Sequence, residues 1–106
     1  AMAKEPDKQN ALVFLHIGRM EEQKNHTFLL RIFAAILRKN AAAQLWLCGE
    51  GPLAQRLQEQ AQAAGIADRV HFLGIREDIP ALMAAADAVV FPSLFAFLRN
   101  NATSAT

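Results

Sequence analysis

Leu12-Val13-Phe14-Leu15-His16-Ile17-Gly18-Arg19-Met20-Glu21-Glu22-Gln23-Lys24-Asn25 is the stretch that decides the fold. It opens as a nearly continuous apolar run, interrupted only by His16. Such a run reads as a strand with both faces covered, the pattern of a parallel sheet between helices. Gly18 ends the run, and a polar loop carrying Arg19 and Lys24 follows. Beyond it, Leu29, Ile32, Phe33, Ile36 and Leu37 fall at helical spacing and form one apolar stripe, with Arg31, Arg38 and Lys39 off it. Asn25 reads as the N-cap of that helix and Asn40 as its close. The stretch is therefore strand, loop, helix.

The same unit recurs along the chain. Leu45-Trp46-Leu47-Cys48, Val70-His71-Phe72-Leu73 and Ala88-Val89-Val90-Phe91 read as further strands. Gly51-Pro52 is expected to open a second helix, with proline in its first turn. That helix runs through Leu53, Leu57, Ala61 and Ala64 to Gly65, with Ile66 as the apolar residue past the cap. A short third helix is expected with Asp78 as its cap, Pro80 in its first turn, and Ile79, Leu82, Met83 and Ala86 facing inward. Alternation of strand and helix with short links implies a parallel α/β sheet. Residues 1–11 are polar and without period, and read as a disordered or tag-derived leader. After Ser93 the pattern changes to the apolar Leu94-Phe95-Ala96-Phe97-Leu98 and then a polar end.

Composition narrows the function classes. The chain has 106 residues, 53% of them hydrophobic, which is enough for one domain with its own core. Eleven Lys and Arg against ten Asp and Glu leave a net charge of +1, which argues against a nucleic-acid module. No apolar run approaches the ~18 residues of a membrane span. One cysteine, Cys48, excludes an internal disulfide and fits a reducing cytoplasm.

Chemistry is expected at one edge. Gly18, Gly49 and Gly74 each stand directly after a strand, and parallel α/β sheets bind ligands beyond the carboxyl ends of their strands. Arg19, Lys24 and Arg76 bring positive charge to that edge. The helix starts near Asn25, Gly51 and Asp78 bring unpaired N–H groups. Together they describe an anion site, phosphate above all. The plainer alternative makes the glycines turn residues and pairs Arg19 and Lys24 with Glu21 and Glu22. The loop after the first strand is neither G-x-G-x-x-G nor G-x-x-x-x-G-K-[ST], so the usual dinucleotide and P-loop readings lose support. A phospho-receiver domain needs acidic residues where this chain has Gly18-Arg19 and Leu73-Gly74. His16 and His71 read as packed strand residues, His26 as an aid to the cap, and Cys48 as an inert thiol. No Cys/His or carboxylate cluster has metal-ligand spacing, so no metal site is expected.

Four blocks in order carry a family resemblance: Gly18 to His26, Leu47 to Leu53, Asp68 to Pro80, and Ala85 to Phe95. Across about residues 12–95 the chain resembles the C-terminal, donor-binding domain of GT-B glycosyltransferases, in the family-4-like retaining group. The resemblance implies a nucleotide-diphosphate sugar, a UDP- or GDP-sugar, as donor substrate, and no cofactor. It places Arg19 and Lys24 on the donor diphosphate, and Gly18, Gly49, Glu50 and Gly51 in the loops around phosphate and ribose. It places Ile75 and Arg76 beside the base. Two cations near a departing diphosphate would replace the metal used by other transferases. After Phe95 the family continues Glu-Gly and a helix with a second glutamate, whereas this chain has Ala96 and Phe97. A chain cut short, or out of its original reading frame, is therefore expected, with residues 96–106 as a non-family tail.

The expected architecture is a three-layer, Rossmann-like α/β domain with four parallel strands in the order 3-2-1-4. The expected function is the donor-binding part of a retaining glycosyltransferase acting on a glycan or lipid acceptor, inactive as this chain alone. The acceptor would be held by an N-terminal domain outside the chain. The setting would be cytoplasmic, or peripheral to the inner membrane in the full-length enzyme. A bare fourth strand and the apolar tail predict self-association. The competing reading is a non-catalytic folding fragment or interaction module with no ligand.

Overall fold

The computed structural model of the chain describes residues 12–21 and 25–90. Its strands are β1 (Val13–Ile17), β2 (Gln44–Cys48), β3 (Val70–Gly74) and β4 (Ala88–Val89). Its helices are α1 (His26–Lys39), α2 (Ala54–Ala63) and α3 (Ile79–Ala85), with a 3-10 turn at Ala67–Arg69. The strands form one parallel sheet in the order β3-β2-β1-β4, as the sequence predicts.

Alternation along the strands explains the continuous apolar runs. On β2, Leu45 and Leu47 join the core under α1 and α2, with Phe33, Leu57 and Ala61. The intervening Trp46 and Cys48 join the opposite core, with Val13, Leu15 and Leu82. All five β2 residues are buried, so no position on this central strand could be polar without a partner. Gln44 meets that condition: its Oε1 accepts the Trp46 indole N–H at 3.0 Å.

The order follows from handedness. α1 and α2 return the chain on one face, carrying it from β1 to β2 to β3. α3 packs on the other face, where a right-handed crossover sets β4 on the far side of β1. The order therefore reverses between β1 and β4, and in such sheets the crevice at that point receives ligands.

Element ends differ in part from the sequence reading. Asn40 closes α1 as expected, its N–H donating to Ile36 O at 2.9 Å. α2 also closes as expected: Gly65 N–H donates to Gln62 O and Ile66 N–H to Ala61 O, both at 3.0 Å. Asn25 and Asp78 occupy the N-cap positions, but neither side chain caps its helix. Asn25 is left-handed, at φ 61°, and the Asp78 carboxylate is engaged by Arg76. Pro52 lies ahead of α2, which starts at Ala54, because the preceding turn is closed by Ala54 N–H to Gly51 O at 3.1 Å. Pro80 is in the first turn of α3 as expected. Met83 does not face inward and is 48% exposed. In a helix this short Ile79, Leu82, Ala85 and Ala86 fill the buried side, and Met83 falls off their stripe.

Candidate functional site

The carboxyl edge of the sheet is built from backbone stitched to backbone. Gly18 N–H donates to Cys48 O at 2.9 Å, and Gly49 N–H to Gly74 O at 2.8 Å. The second contact is possible because the β2–β3 register skips Leu73, so that Cys48 pairs with Gly74. Further out, Met20 N–H donates to Glu50 O at 3.0 Å, and Leu53 N–H to Met20 O at 3.1 Å. The loops after β1 and β2 thus form one double-layered rim.

That rim explains two glycines. A Cβ on Gly49, whose φ is 131°, would lie 2.1 Å from Gly18 O. A Cβ on Gly51 would lie 2.5 Å from Met20 O. Both positions need glycine so that neighbouring loops can touch, whatever else approaches them. The sequence reading weighed a ligand edge against turn glycines; the space a Cβ would take at Gly49 and Gly51 is filled by the loop after β1.

Met20 is the residue the sequence reading passed over. It is 1% exposed and packs in the α1–α2 core while Arg19 beside it stays out. The signal was present: a lone large apolar residue inside an otherwise polar loop. Buried Met20 is the anchor that sets Arg19 on the rim.

The cations are arranged unequally. Arg19 has a 62% exposed side chain, and its Nε lies 3.0 Å from Glu21 Oε1. A guanidinium has five N–H donors, more than one carboxylate can use, so an exposed Arg19 is suited to a phosphate as well. Arg76 differs. Its side chain is 6% exposed and makes a two-pronged ion pair with Asp78, with Nε 2.7 Å from Asp78 Oδ1. Hydrogen bonding from Arg76 holds the Asp78 carboxyl below its usual range. Arg76 therefore braces the β3–α3 loop, while the neighbouring Ile75 projects with 73% exposure. Burial pushes the Cys48 thiol up, with Arg76 pulling the other way, so this cysteine is held in its unreactive form. Lys24 lies outside the described residues, as do Phe91 and everything after it. Glu50 is exposed on the rim through its side chain while its carbonyl holds Met20.

Two histidines lie beneath the rim. His16 and His26 are 4% and 2% exposed. Their rings meet edge to face at a centroid distance of 4.7 Å and 75°. His16 is packed in its strand as expected. His26 was read as an aid to the cap, and is instead a core residue of the first helical turn.

The four-stranded parallel sheet of this order matches solved GT-B glycosyltransferases, and the chain is a fragment of the C-terminal domain of that fold. The chain belongs to the family described as glycosyl transferases group 1, whose sequence profile matches residues 11–106. It is 39% identical over 84 residues to EpsF of Bacillus subtilis, covering 79% of this chain and 22% of that protein. It is 32% identical over 91 residues to the UDP-Gal:alpha-D-GlcNAc-diphosphoundecaprenol alpha-1,3-galactosyltransferase of Escherichia coli, covering 83% of this chain and 24% of the enzyme. The crystal structure of Anabaena HepE in complex with UDP and glucose matches with a TM-score of 0.69 and 31% identity. That match covers 77% of this chain and 23% of HepE. The chain thus spans about a quarter of the length of these relatives. Among the described residues, no helix is long and apolar enough to cross a membrane.

Proposed function

We propose that this chain is the donor-side part of a retaining glycosyltransferase and holds the diphosphate of a UDP- or GDP-sugar at the carboxyl edge of β1. The observation that carries the reading is Arg19. It is exposed on a rim whose backbone is fixed from below by Met20 and from the side by Glu50. The presence of UDP and glucose in HepE, a relative of the same fold, supports that class of donor.

In this reading Arg19 and Lys24 grip the diphosphate and stabilise the charge that grows on it as the sugar departs. Gly18, Gly49, Glu50 and Gly51 shape the phosphate and ribose side, and Ile75 offers an apolar surface to the base. Arg76 contributes by holding that loop, its own charge being spent on Asp78. The acceptor is a glycan or lipid, a reading supported by the diphosphoundecaprenol named in the E. coli relative. Transfer needs parts of the enzyme beyond the quarter spanned here, so the isolated chain binds donor without transferring sugar. A reducing cytoplasmic setting, free or at the inner membrane, agrees with the buried Cys48. Among the described residues β4 is an edge strand, which supports self-association at high concentration.

The rival reading, a ligand-free interaction module, draws on the internal pairing of both described cations of the rim, Arg19 with Glu21 and Arg76 with Asp78. A thermal shift assay with UDP, GDP and ADP against sulfate separates the two. A shift with UDP or GDP well beyond that of sulfate is expected; equal shifts, or none, favour the rival.

A further inference from the structure

We propose that His16 and His26 form a buried ring clamp that closes the two ends of the Arg19-bearing loop, making them positioning residues for Arg19. Two contacts and one proximity carry this. His16 Nδ1 lies 2.8 Å from Val90 O; a carbonyl only accepts, so Nδ1 carries the proton. The opposite nitrogen, Nε2, faces Gly18, where a Cβ would stand only 3.3 Å from it. The second contact is the edge-to-face packing on His26, in the first turn of α1. One imidazole therefore ties the residue after β4 to the helix that receives the loop, and it stands beside Gly18, where the loop begins. The preceding Asn25 is left-handed and meets α1 through its backbone, Leu29 N–H donating to Asn25 O at 3.2 Å, and not through a side-chain cap. The ring contact adds a side-chain tie at that end. The clamp rests on this geometry alone; its importance for ligand binding rests on the donor reading above.

Amide hydrogen exchange on the whole chain tests the clamp without a ligand. The reporters are Gly18 N–H, bonded to Cys48 O, and Met20 N–H, bonded to Glu50 O. The references are Leu57 and Ile66 N–H, bonded to Leu53 O and Ala61 O. In His26→Ala the reporters are expected to exchange about fivefold faster relative to the references, the size of one lost aromatic contact. His26→Phe keeps a ring there and is expected to stay within about twofold of the unaltered chain. Reporters that stay unchanged, or that accelerate no more than the references, overturn the clamp. UDP titration then reads its consequence: His26→Ala is expected to bind about fivefold more weakly, with recovery in His26→Phe. Faster exchange together with unchanged UDP affinity overturns the positioning role. No UDP binding by the unaltered chain overturns the donor reading instead, and leaves the clamp to the exchange result.

Discussion

The carbonyl oxygen of Gly18 lies 2.1 Å from where a Cβ on Gly49 would be, and the φ of Gly49 is 131°. Steric overlap and backbone strain therefore act together at one residue. Gly49→Ala is expected to cost about 3 kcal/mol or more, since overpacking and a forced φ each cost ~1–3 kcal/mol. Gly65 provides the contrast. Its φ is 74° but nothing lies within 4 Å of a built Cβ. Gly65→Ala is expected to cost only about 1 kcal/mol, the strain alone. Urea denaturation of both variants checks the difference, and equal losses would mean the rim is looser than described.

The Arg76–Asp78 pair makes stability depend on pH in the acid range. Its hydrogen bonds depress the Asp78 pKa in the folded state below the ordinary 3.8. A depressed carboxylate contributes stability that is complete above its unfolded pKa and is lost as pH falls through the folded one. Denaturation midpoints should therefore drop on acidification below about pH 4. Asp78→Asn should start lower and lose part of that slope. An unchanged slope in the variant would detach Asp78 from acid unfolding.

His71 acts nearer neutrality. Burial, with Arg69 adding to it, lowers its pKa from the ordinary 6.5. The unfolded chain therefore binds the proton first, and stability falls as pH drops from about 6.5 toward the folded pKa. His71→Gln removes that proton, so its stability should be flatter over the same window. Midpoints measured at steps between pH 7.5 and 5 would show it; parallel curves would exclude His71 as the cause.

Among the described residues one face of the sheet is covered by a single short helix, α3, and Leu82 is its fully buried residue. Leu82→Ala is expected to cost ~2–5 kcal/mol, the usual range for a core leucine. Met83→Ala beside it, on the exposed side, should stay within about 0.5 kcal/mol. Thermal melts of the pair check the facing. Similar losses in both would put Met83 in the core after all.

The sheet was legible because each strand announces itself as a short apolar run. β2 shows why: Leu45 and Leu47 serve one core while Trp46 and Cys48 serve the other, so no polar residue interrupts it. Strand order was legible only through the resemblance and the handedness of crossovers. The rim was legible as a cluster of glycines and cations, but its pairings were not. Arg76 and Asp78 are near in sequence, yet nothing in their spacing says that the carboxylate leaves the helix end for the guanidinium. Met20 and His26 look like loop and cap residues until α1 and α2 fold over them. Burial of that kind is a property of the assembled layers and leaves no periodic trace in the sequence.

The central claim is that Arg19 and Lys24 hold a nucleoside diphosphate. Isothermal titration of UDP into the chain and into its Arg19→Ala/Lys24→Ala variant tests it most directly. Saturable binding is expected for the unaltered chain. The double variant should bind at least about tenfold more weakly, since a hydrogen bond to a charged group is worth ~1.5–3 kcal/mol. Equal affinity in the two proteins would contradict the account.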